Sequence, residues 1–175
     1  MGTDAVTQTD VRAAVGLGLV EARSADTPAA LQQVIERRLV LSEVARFPPA
    51  EPSAAAIDQQ VADMKKHAGP TLTELMLSTG LDEARLREQG RDTIRIQAYL
   101  AQRFGTSTQV GDEEVRKYYD AHRDQFMRDG VLMPFQEAEV EARQKTSAER
   151  LGLTITQWLR DLRTRSGVVF VERAS

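Results

Sequence analysis

All six prolines of this 175-residue chain stand at the borders of helical periodicity. A proline inside a helix removes a hydrogen bond and clashes with the preceding turn, so each one is a boundary marker. Thr27-Pro28 offers a capping hydroxyl followed by proline at the first helical position, which starts a helix. From there Leu31, Val34, Ile35, Leu39, Leu41 and Val44 cover a broad apolar face to about Phe47, the expected central helix. Pro48, Pro49 and Pro52 enforce an extended connection. Ser53 opens the next helix, striped by Ile57, Val61 and Met64, and Gly69-Pro70 stops it.

The remaining borders are set by caps and glycines. Residues 4–8 read as a short strand, and Thr9 as the cap of a helix through Val11, Ala14, Val15 and Leu19. Gly16 and Gly18 lack the third glycine and the strand–turn–helix setting of a nucleotide loop, and read as close-packing positions. Thr71 and Glu74 form a T-x-x-E capping box for a short helix that ends at Gly80. Asp82 caps a long helix to about Phe104, in which Gly90 marks a close contact or a bend. Residues 105–111 are a polar linker, Asp112 to Phe126 another helix, and 127–134 a loop. After Pro134 a helical pattern runs to about Ser166. Its first half is nearly all polar; its second carries a seam of Leu151, Ile155, Trp158, Leu159 and Leu162. Gly167 releases the chain into VVFVE, a strand candidate. The expected fold is therefore mainly α, about seven helices with a small strand pair formed by the N- and C-termini. Residues 1–175 are expected to make one domain, a core over 4–126 completed by residues 134–173.

Composition agrees with a helical reading. Aromatic residues make up only 5%, so the core must rest on Leu, Val, Ile and Ala. With 23 basic residues against 26 acidic ones, well mixed, nucleic acid is not the expected partner. The absence of cysteine excludes disulfides, thiolate metal sites and a Cys nucleophile. No apolar stretch approaches the ~18 residues of a membrane helix, so no membrane insertion is expected, and no secretory signal is legible ahead of Asp4.

Catalytic patterns are lacking. His67 and His122 show no H-x-x-x-H pairing and read as solvent-facing helical residues, not as metal ligands. There is no G-x-S-x-G elbow. Asp112, Glu113 and Glu114 read as helix-start acids, and Glu137, Glu139 and Glu141 do not share one helix face. Neither a catalytic residue nor a cofactor is expected. Flexible apolar side chains are more suggestive: Met64, Leu72, Leu75, Met76 and Leu77 on short adjoining helices, then Tyr118, Tyr119 and Phe126. A Met-bearing groove accepts many peptide shapes, which makes these eight the candidate client-binding residues.

Four passages resemble the N-terminal chaperone region of SurA and related parvulin-type foldases, such as PrsA-like and trigger-factor-like chains. They are TQTDVRAAVGLGLV, LQQVIERRLVLSEVARF, STGLDEARLREQGRDTIRIQAYL and QVGDEEVRKYYDAHRDQF, and the last is the most specific. It departs from the family pattern at Gly111, where Ser or Thr is usual. The resemblance implies an ATP-independent holdase for unfolded extracytoplasmic polypeptides, in the periplasm or an equivalent compartment. In that family a parvulin domain commonly follows the Y-Y…F stretch. Here eight residues, 127 to 134, separate Phe126 from the final helix and leave no room for it, so isomerase activity is not expected. The alternative is a structural or assembly subunit that binds one partner, or dimerises through the long C-terminal helix.

Overall fold

The computed structural model describes residues 5–22, 24–105 and 109–166. They are mainly helical, with seven α-helices: α1 (Gln8–Gly16), α2 (Pro28–Arg46), α3 (Ala54–Ala68), α4 (Leu72–Thr79), α5 (Glu83–Phe104), α6 (Asp112–Ala121) and α7 (Phe135–Ser166). The chain divides into two compact units, Met1–Gln102 with Leu162–Ser175, and Arg103–Asp161.

Caps define most helix starts. The hydroxyl of Thr27 accepts from the Ala30 amide at 3.2 Å and that of Ser53 from the Ala56 amide at 3.2 Å. The carboxylate of Asp82 accepts from the Arg85 amide at 2.7 Å. Each bond satisfies one of the amides that a helix leaves unpaired at its start, worth about 1 kcal/mol. Gly80 ends α4 in the left-handed region, at φ 67° and ψ 24°, where a side chain would be strained.

Three expectations about local structure are corrected. Residues 5–7 form no strand, and α1 begins at Gln8 under a cap made by Thr7 and not by Thr9. Thr7 and Asp10 build a reciprocal box: the Thr7 hydroxyl accepts from the Asp10 amide, and the Asp10 carboxylate accepts from the Thr7 amide at 2.8 Å. VVFVE lies outside the described residues. The small sheet is found elsewhere, at residues expected to be a loop: β1 (Met127–Arg128) pairs antiparallel with β2 (Val131–Leu132). Asp129 and Gly130 join them with positive φ at both positions, the geometry of a tight two-residue hairpin turn. Thr71, finally, makes no cap. A 3-10 turn, Gly69–Thr71, runs directly into α4, and the Thr71 hydroxyl turns back to donate to Ala68 O at 2.8 Å.

Two apolar clusters are found among the described residues of the first unit. Leu17, Val61, Met64, Ala68, Leu75 and Leu86 pack α1 against α3, α4 and α5; Val11, Ala14, Ala30 and Val34 pack α1 against α2. Each large side chain buried in this way contributes roughly 1.5–3 kcal/mol. The glycines permit the close approach: a Cβ on Gly16 would lie 2.6 Å from a methyl of Leu75, and one on Gly90 would lie 3.2 Å from Val61. Along the outer side of α3 and α5, Lys65–Glu83 (2.5 Å) and Asp58–Arg87 form a row of ion pairs that Glu51–Arg91 continues. These pairs are exposed and fix register more than they stabilise.

In the second unit α6 packs on the first half of α7. Val115, Tyr119, Phe126, Ala138 and Ala142 form its core. The half of α7 that reads as polar all round is therefore seated: Ala138, Ala142 and Thr146, at i, i+4 and i+8, are buried on one face. Arg143 pairs with Asp112 at 2.6 Å and Arg150 with Glu114 at 3.0 Å, so the acids that open α6 are bound by α7. Further along, Trp158 is buried and meets Phe104 edge-on at 5.4 Å.

Candidate functional site

Within the first unit α1, α2, α4 and the start of α5 surround a cleft of about 330 Å³. Its apolar lining comes from Ala13 and Ala14 of α1, from Val34 and Leu41 of α2, and from Leu17, Leu19 and Leu81 in the connections. α1 cannot close this space because its inner face carries alanines at positions 13 and 14, whose side chains are short. Its charged lining is three guanidinium groups, Arg37, Arg38 and Arg85, against two carboxylates, Asp10 and Glu88. The balance is one positive charge in excess.

The three arginines are held differently. Arg38 pairs with Asp10 at 3.1 Å and donates to Ala5 O at 2.9 Å. Arg85 donates to Gly80 O at 3.0 Å. Arg37 is the most enclosed, and its Nη2 donates to Thr93 Oγ1 at 2.8 Å and to Gln89 O at 3.4 Å. Both acceptors are neutral, and among the described residues no carboxylate lies within ion-pair distance of Arg37. Burial pulls its pKa below the ordinary arginine value, opposed by the charge of Asp92. Burial in turn lifts the Asp92 carboxyl above its ordinary value, with Arg37 opposing. A guanidinium has five N–H donors, and Nη2 supplies the two bonds made. Nε and Nη1 remain on a cation that lines the cleft.

The eight residues read as client-binding fall in two places. Met64 and Leu75 are core of the first unit, with Leu72 and Met76 half-buried against them. Only Leu77 of that set projects outward, 82% exposed. In the second unit Phe126 is fully buried, Tyr119 is buried with its hydroxyl donating to Met133 O at 2.5 Å, and Tyr118 is half-buried. Met64 and Leu75 thus belong to the core, and Leu72 and Met76 pack half-buried against it. His67 is exposed on α3. His122 is no surface helical residue: it caps α6, stacked on Tyr118 at 4.2 Å with Nδ1 2.9 Å from Tyr118 O.

The cleft escaped the sequence reading. Its one legible sign is Arg37-Arg38, two charges set into a helix that is otherwise apolar over much of its circumference. The hairpin escaped too, although Asp129-Gly130, set between Met127-Arg128 and Val131-Leu132, is a turn signal.

No protein-family model, curated protein or solved structure matches the chain. Among the described residues no group of three or more His, Asp or Glu side chains is arranged to hold a metal ion, and no helix is long and apolar enough to cross a membrane.

Proposed function

We propose that this chain is an ATP-independent, non-catalytic polypeptide-binding protein, a holdase of the SurA-like kind working outside the cytoplasm. The observation that carries the reading is the cleft of the first unit, where hydrocarbon from α1 and α2 adjoins guanidinium donors. Non-native polypeptide offers both halves of that chemistry, apolar side chains and unpaired backbone or carboxylate oxygens. Burying the apolar part gains roughly 25 cal/mol per Å², and the ordering of a flexible client offsets most of it, so binding stays releasable. Leu77 and Phe47 are further large apolar side chains exposed on the same unit.

The test is aggregation of a chemically denatured client, followed by light scattering with the chain at near-stoichiometric amounts. Protection is expected, and Ala13→Leu, which fills the cleft from α1, is expected to reduce it. Absence of protection across several unrelated clients would overturn the reading. In that case the alternative of a self-associating or assembly subunit gains, since Val140 and Leu153 of α7 are exposed at 71% and 66%. Multi-angle light scattering separates the two: a strict monomer removes the dimer reading.

A further inference from the structure

We infer that the cleft of the first unit binds the C-terminal carboxylate of a polypeptide whose last side chain is apolar. This rests on the reading that the chain takes up polypeptide, and narrows it to one kind of chain end.

Three observations carry it. First, the charge is complementary: Arg37, Arg38 and Arg85 outnumber Asp10 and Glu88 around the cleft. An anion removes the excess, and a carboxylate accepts two parallel N–H bonds from a guanidinium. Second, Arg37 is hydrogen-bonded only to neutral oxygens from α5 and has donors beyond those bonds; the Asp92 carboxylate acts on it electrostatically without pairing with it among the described residues. A desolvated cation in that setting interacts with an anion more strongly than one on an open surface does. Third, the space is small. About 330 Å³ is at the lower end of the roughly 300–1,000 Å³ of ligand pockets and suits a short chain end, not a segment threaded through.

The apolar lining selects between sources of carboxylate. Ala13, Ala14, Leu17 and Val34 line the same small space as the guanidinium groups. A C-terminal residue such as Leu carries carboxylate and hydrocarbon on one α-carbon, and so meets both at once. An internal Asp has its carboxylate at the tip and no hydrocarbon beyond it, and its entry drags two peptide units into the cleft.

The experiment uses the full chain and an N-terminally fluorescent hexapeptide ending in Leu, read by anisotropy. The same peptide amidated at its C-terminus is the second arm, and an amidated peptide with an internal Asp is the third. Free-carboxylate peptide is expected to bind at least tenfold more tightly than either. Arg37→Gln is expected to remove that preference. Arg37 also ties α2 to α5, so Ala13→Leu serves as a second variant that blocks the cleft and leaves the arginines in place. Thermal melts of both establish folding. Equal binding of free and amidated peptides overturns the inference, as does an Asp peptide that binds as well as the free chain end. No binding by any peptide overturns it too; if client protection persists there, the holdase reading stands on another surface. Carboxylate-selective binding without client protection upholds the inference and removes the holdase.

Discussion

Phe126 discriminates between a client-contacting side chain and a structural one. It is fully buried, its ring lies 5.0 Å from that of Tyr119 and 6.4 Å from that of Tyr118, and the ammonium of Lys145 sits 5.4 Å from its centroid. An aromatic side chain buries about 150–250 Å², which at 25 cal/mol per Å² amounts to about 4–6 kcal/mol. Measured Phe→Ala losses in cores run at about 3–5 kcal/mol, and this site has full enclosure on its side. Against a domain stability of roughly 5–15 kcal/mol, Phe126→Ala is expected to remove most or all of the second unit's margin. Phe126→Leu keeps most of the volume, and a loss of about 1–1.5 kcal/mol is expected for it. Urea unfolding by fluorescence reads this directly, because the chain's only tryptophan, Trp158, belongs to the same unit. With m near 1 kcal/mol per M, the Leu variant should shift the midpoint by about 1 M. An Ala variant that loses under 1 kcal/mol would show that Phe126 does not anchor this core. If it also lost client binding, the residue would belong to the client surface.

Gly18 has φ 67°, and a Cβ there would lie 2.8 Å from the His67 ring, so Gly18→Ala should cost at least about 1–2 kcal/mol. Adding His67→Ala should restore only the steric share, and equal melting of wild type and Gly18→Ala would refute the strain. Leu77→Gln should change stability by no more than about 0.5 kcal/mol while lowering client protection, since this side chain is almost wholly in solvent. Asp92 has its folded pKa raised above the ordinary 3.8 by burial, with Glu88 adding and Arg37, Arg95 and Arg91 opposing. The folded state then binds more protons than the unfolded one in the window above 3.8, so stability falls as pH rises through it. Urea midpoints of wild type and Asp92→Asn should therefore diverge with rising pH across that window, wild type losing ground; parallel curves would refute the shift.

The local borders of the helices follow from single residues and their immediate neighbours. Thr27-Pro28, Ser53, Gly80 and Asp82 act through bonds or φ values within a few residues, so each is readable where it stands. Gly16 and Gly90 were also legible as close contacts, because a missing side chain in a helix asks for a neighbour. Tertiary structure alone decided which apolar residues are core and which are surface. Met64 and Leu77 read alike in sequence, yet one is 2% exposed and the other 82%, because burial depends on the helix that packs opposite. The first half of α7 reads as unpartnered since alanine adds little hydropathy. Its Ala138–Ala142–Thr146 face is buried because small side chains let α6 come close and its acids meet Arg143 and Arg150. The cleft is tertiary in the same sense: Arg37 and Ala13 lie far apart in sequence, and only the packing of α1 on α2 brings them to one space.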